Sequence, residues 1–79
     1  MSMVERVKSR LDRVTPGLRF ILDLFSKRRF NVEFSVLVVE DRSKALEVLR
    51  ELYGDYAESV LRMLLGEELE KGLQDSNSL

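Results

Sequence analysis

Few residues in this chain of 79 are equipped for chemistry. Glu40 and Asp41 are adjacent carboxylates, a pairing that can hold magnesium or share acid–base work. No surrounding motif supports either role, and the end of one element followed by a helix cap at Asp41 accounts for both residues more simply. Glu67, Glu68 and Glu70 form an acidic run that reads as a solvated face. Histidine and cysteine are absent. Their absence removes the commonest general base near neutral pH, the commonest metal ligand, thiolate sites and disulfides. The four glycines are scattered and make no phosphate loop. No catalytic residue, metal site or cofactor is expected, and the chain reads as non-enzymatic.

The sharpest surface feature is Lys27-Arg28-Arg29, with Arg19 and Phe20 nearby. Cations at the end of a helix are favoured by its dipole, and that is the simplest account of them. The same residues could contact nucleic-acid phosphates, although three basic residues are few for such a footprint. They could also meet an anionic membrane surface beside Phe20, Leu24 and Phe25. Charge is unevenly spread. Residues 1–30 carry eight basic and three acidic residues, a balance of +5, while residues 31–79 carry five and eleven, a balance of −6. Neutralisation of one part by the other is the simplest reading.

The elements that must position these residues follow from apolar spacing. Val4, Val7, Leu11 and Val14 make one helical stripe. A second helix carries Leu18, Ile21, Leu22 and Phe25 on one face, and Leu18, Ile21 and Phe25 continue the phase of the first stripe. Thr15-Pro16 reads as an N-cap followed by proline at a first helical position. The pattern therefore fits either one long helix kinked at Thr15–Gly17 or two helices sharing a seam. Ala45, Val48, Leu49 and Leu52 predict a further helix capped by Asp41 or Ser43. Gly54-Asp55 ends it, and Ala57, Val60, Leu61, Leu64 and Leu65 predict a last one, with Gly66 as a kink or an end. Phe20, Leu24 and Met63 lie off these stripes, which implies helices covered on more than one side.

Between the two helical parts lies FNVEFSVLVVE, residues 30–40. Phe30, Val32, Phe34, Val36 and Val38 alternate with Asn31, Glu33, Ser35, Leu37 and Val39, and β-branched and aromatic residues dominate, so the segment reads as a strand. No other stretch reads as one, and a lone strand leaves its backbone groups unpaired. A second copy of the chain is the economical partner. The expected fold is therefore α+β, ordered α-α-β-α-α, with the strand paired antiparallel across a homodimer through Val32, Phe34, Val36 and Val38. One small domain is expected over 1–73, with helices in 1–29, the strand at 30–40, a helical hairpin at 41–73 and a disordered tail at 74–79.

On the alternation of Phe30–Phe34 and the turn at Gly54, residues 30–65 resemble the ribbon-helix-helix proteins. That resemblance implies a DNA-binding regulator or antitoxin, with Asn31 and Ser35 meeting bases and Lys27, Arg28 and Arg29 meeting phosphates. Glu33 would face the phosphate-lined groove. The composition points first to a homodimeric protein-interaction or assembly module that binds another protein, with double-stranded DNA as the alternative partner and no membrane partner. The high charged fraction, 34%, with only three Asn and Gln, suits a thermophilic source. No secretory or membrane-spanning segment is read, so the expected location is the cytoplasm.

Overall fold

The computed structural model describes the backbone of residues 2–77 and the side chains of residues 2–73. Every regular element in it is helical. These are α1 (Met3–Val14), α2 (Leu18–Phe30), α3 (Phe34–Glu40), α4 (Arg42–Tyr53) and α5 (Ala57–Asn77), with one 3-10 turn at Gly54–Tyr56. The expected α+β fold is thus replaced by an all-α one, and no strand occurs among the described residues. The ribbon-helix-helix resemblance falls with the strand.

The segment expected to be that strand contains α3, and its burial shows why. Phe34, Leu37 and Val38 are buried, a spacing of three and four that belongs to a helix. A strand would have placed Ser35 outside and Val36 inside. Instead Ser35 is buried and Val36 is half-exposed. The start of α3 is held from α2. Asn31 ends α2 in the left-handed region (φ 63°), where asparagine is tolerated, and its N–H donates to Lys27 O. The Ser26 hydroxyl, itself buried, donates to Val32 O at 2.6 Å. Phe34 N–H donates to Asp23 Oδ1 at 3.0 Å. Glu33 occupies the N-cap position but its side chain does not cap the helix, so Asp23 caps α3 from outside it. The backbone groups that a lone strand would have left open are satisfied within the chain. Phe34 and Val38 lie in the domain's own core, and Val32 packs against it half-buried, so the dimer interface expected at Val32, Phe34, Val36 and Val38 is not formed that way.

Two separate helices, not a single kinked one, occupy residues 3–30. Thr15 ends α1, with its N–H and its hydroxyl both donating to Leu11 O, at 2.9 and 3.0 Å. Gly17 (φ 91°) precedes α2, so Pro16 sits in the turn and not at a first helical position. Arg19 pairs with Asp12 across that turn at 3.0 Å. The continuous seam does not survive it. Val7 and Leu11 are buried, but Val14 and Ile21 face outward, and Leu22 takes the buried position on α2.

The seven-residue α3 is the central helix, packed on α1, α2 and α4, while α5 lies on α4 and α1. On α4, Ala45, Val48 and Leu49 are buried as their spacing predicts, and Asp41 is its cap. On α5, Ala57, Leu61, Leu64, Leu65, Leu69 and Leu73 are buried. Gly66 interrupts α5 with a non-helical backbone (φ 78°, ψ 163°), and helix resumes beyond it. Arg10 of α1 reaches this break, where its Nε–H donates to Leu64 O at 3.0 Å. A Cβ on Gly66 would lie 2.8 Å from Arg10 Nη2. Residues 74–77 of the expected tail continue α5, and Ser78 and Leu79 lie outside the described residues.

Two substitutions probe these constraints. Asp23→Ala leaves the first N–H of α3 without its cap and is expected to cost about 1 kcal/mol, read as a lower urea midpoint with unchanged slope. An unchanged midpoint would show that the turn at 31–34 is held without Asp23. Gly66→Ala forces a β-carbon into a left-handed conformation against Arg10, and a loss of about 1–3 kcal/mol is expected in the same measurement. A neutral result would mean that α5 is not obliged to break there.

Candidate interaction surface

The five residues that sequence reasoning set against nucleic acid do not converge. Arg29 is tied across the surface to α4, with Nη1 2.9 Å from Glu51 Oε1 and its guanidinium 5.3 Å from the centre of the Phe30 ring. Lys44 approaches the same ring at 5.5 Å. Asn31 ends α2 at the surface, whereas Ser35 is buried with its hydroxyl unbonded among the described residues and forms no part of an exposed face. Lys27, Arg28 and Arg29 are all exposed, but Lys27 and Arg28, unlike Arg29, have no carboxylate partner among the described residues.

These two cations extend an apolar ridge. Phe20 is 73% exposed, Leu24 49% and Ile21 43%, all on α2. Phe20, Leu24, Lys27 and Arg28 recur at spacings of three and four and so share one face of the helix. The opposite face of α2 buries Leu22 and Ser26. Isolated exposed apolar residues are ordinary, but three on one helix face make a patch, and patches of this kind mark binding surfaces. Their departure from the buried stripe was visible in the sequence at Phe20 and Leu24. Ile21 was not recognised, because it had been placed in the seam that the turn at Thr15–Gly17 breaks. Tyr56 and Met63 are also exposed, on the 3-10 turn and α5.

The uneven charge is partly resolved inside the molecule. Lys8 pairs with Glu33 at 3.4 Å and Arg29 with Glu51 at 2.9 Å, each joining the basic N-terminal part to the acidic remainder. Arg42 and Glu70 tie α4 to α5 at 2.6 Å. Asp23, the one acidic residue of α2, is engaged at the start of α3. The outward face of α2 therefore carries cations and no anion.

Glu40-Asp41 is a helix junction. Asp41 accepts from the Ser43 hydroxyl at 2.7 Å and from Lys44 N–H at 3.4 Å, and Lys44 Nζ lies 3.8 Å away. Glu40 is exposed, and no group of three metal-ligating side chains occurs among the described residues. The Ser43 hydroxyl holds the Asp41 carboxyl below the usual aspartate range, opposed by desolvation and aided by the Lys44 N–H and ammonium. A depressed folded-state pKa stabilises the fold above the unfolded value of about 3.9 and loses that contribution as pH falls through the folded value. The stability gap between the wild type and Asp41→Asn is thus expected to narrow as pH drops from about 6 to below about 3. A gap that stays constant through that window would show that the charge on Asp41 contributes nothing.

No helix among the described residues is long and apolar enough to cross a membrane. The family model NitrOD5, described as Nitrosopumilus output domain 5, matches residues 2–78. Comparison with curated proteins and with solved structures returns no match. The match spans nearly the whole chain, and the chain belongs to the NitrOD5 family.

Proposed function

We propose that this NitrOD5 chain is a non-enzymatic interaction module whose outward α2 face binds an acidic amphipathic helix of another protein. The observation that carries the proposal is the ridge of Phe20, Ile21 and Leu24 continued by Lys27 and Arg28. Apolar side chains supply the affinity of such a contact, and charges at its edge select the partner and speed its approach. A helix laid on this face would match Phe20 and Leu24 with its own apolar stripe and Lys27 and Arg28 with carboxylates. The word "output" in the family's description suits a unit that acts through contact.

A second copy of the chain is a poorer occupant for this face. Pairing α2 with α2 about a two-fold axis would bring together cations with no carboxylate between them, since Asp23 is committed to Phe34 N–H. The earlier argument for a homodimer was an unpaired strand, and that strand does not form. The protein is therefore expected to be a monomer until its partner is added.

The test uses a synthetic amphipathic peptide with leucines at helical spacing and glutamates flanking them, and a control peptide with lysines in place of the glutamates. The acidic peptide is expected to bind with a salt-dependent Kd and the basic one not to bind. Phe20→Ser/Leu24→Ser should raise the Kd at least tenfold while leaving the thermal midpoint nearly unchanged, because both side chains are outside the core. Equal binding by that variant, or a stable dimer whose α2 amides are protected from exchange, would overturn the proposal.

A further inference from the structure

On the far edge of α1, Arg6, Arg10 and Arg13 follow one another at spacings of four and three, so their side chains leave the same face of the helix. They face the break in α5. Together with Leu65, Gly66, Glu67, Glu68 and Leu69 they line a cleft of about 340 Å³. That volume lies at the small end of the range for ligand pockets, roughly 300–1,000 Å³.

Two features set this cleft apart from an ordinary charged surface. The first is that its middle arginine is anchored. Arg10 Nε–H is bonded to Leu64 O, and its Nη2 lies against Gly66, in the space that any β-carbon would occupy. The helix is broken at a left-handed glycine, and the arginine is seated in the break. Anchoring by the Nε edge fixes the plane of the guanidinium and removes much of the entropy lost when it grips a ligand. The second is that the flanking cations are unspent. Arg6 and Arg13 form no ion pair among the described residues, although Glu67 and Glu68 line the same cleft. Opposite charges stand on two walls without closing on each other.

We infer that this cleft binds a small phosphomonoester bearing hydroxyl groups, its phosphate on Arg6, Arg10 and Arg13 and its hydroxyls toward Glu67 and Glu68. Planar guanidinium groups match phosphate oxygens in pairs, and a dianion gathers three cations better than a carboxylate does. The glutamates accept hydrogen bonds from hydroxyls and repel a second anionic group, so a sugar phosphate suits the cleft better than a bisphosphate. This site does not involve the α2 ridge, and the two readings stand or fall separately.

Calorimetric titration with inorganic phosphate and with glucose 6-phosphate, at fixed ionic strength and with glucose as control, tests the inference. Glucose 6-phosphate is expected to bind saturably at one site and more tightly than phosphate, and glucose not to bind. Arg6→Gln/Arg13→Gln, which removes two exposed side chains and should fold normally, is expected to weaken glucose 6-phosphate at least tenfold. Glu67→Gln/Glu68→Gln should reduce the preference for glucose 6-phosphate over inorganic phosphate. Phe20→Ser/Leu24→Ser should leave both affinities unchanged. No saturable binding, or binding untouched by the arginine substitutions, overturns the site. Equal affinity for phosphate and glucose 6-phosphate overturns the assignment of the ligand class.

Discussion

The fold depends on the grip that α2 takes on the turn after it. Ser26 holds Val32 O and Asp23 holds Phe34 N–H, and between them they set the direction in which the chain leaves α2. Both are polar residues on the inner side of α2, and Ser26 is buried. A buried hydroxyl without a partner is costly, so the bond to Val32 O secures Ser26 as much as it secures the turn. With the turn set, α3 begins at Phe34 and drives Phe34, Leu37 and Val38 into the centre of the molecule. Helices α1, α2 and α4 then close around a helix of only seven residues. A helix that short is not stable by itself. It persists because three neighbours bury it and because its first N–H is capped from α2.

Most helices were legible from spacing alone, and the reason is that their surroundings are one-sided. On α4 the stripe Ala45, Val48 and Leu49 is buried, flanked by half-buried Leu46, Leu52 and Tyr53, while Ser43, Lys44, Glu47, Arg50 and Glu51 are exposed, so the period of 3.6 shows clearly. The buried residues of α5 before Gly66 follow the same logic. Residues 30–40 gave two answers at once. Alternation from Phe30 to Val38 fits a strand, and Phe34, Leu37 and Val38 fit a helix, because α3 is enclosed on several sides and carries apolar residues all round. β-propensity favoured the wrong answer. It reports how a side chain fits a pleated, half-buried surface, and tertiary contacts override it readily. The deciding residues lay outside the segment, in Asp23 and Ser26, eleven and six positions from the atoms they hold. No local pattern carries that information.

The turn at Thr15–Gly17 misled in a related way. Heptad phase across Pro16 suggested a shared seam, but phase on paper becomes a common face only if the axes stay aligned. Thr15 ends α1 and Gly17 redirects the chain, so Val14 and Ile21 finish outside, and Leu22, off the seam, finishes inside. The α2 face was thus only partly legible. Phe20 and Leu24 stood out as apolar residues off the stripe, whereas Ile21 was hidden by an apparent role in the core. Of the basic run beside them, Arg29 pairs with Glu51 on α4 and lies over the Phe30 ring. Nothing in three consecutive cations distinguishes the one that will find a carboxylate on another helix. That choice depends on where α4 lies.

The same inward use of polar groups explains why the remaining surface is available. Asp23 is the one carboxylate on α2, and capping α3 removes it from the outward face. Lys8 and Arg29 are drawn to Glu33 and Glu51, while Lys27 and Arg28, beside Phe20 and Leu24, have no carboxylate partner among the described residues. On α1, Val7 and Leu11 face the core, and the intervening positions carry Arg6, Arg10 and Arg13 toward the break in α5. Arg10 packs against that break where residue 66 has no side chain, and the positive φ of Gly66 disfavours a β-carbon there. The positions most constrained by folding therefore lie directly behind the two faces that carry unpaired charge. Substitutions at Asp23 or Gly66 would change stability and surface chemistry together, while those at Phe20, Leu24, Arg6 or Arg13 reach the surfaces without disturbing the core.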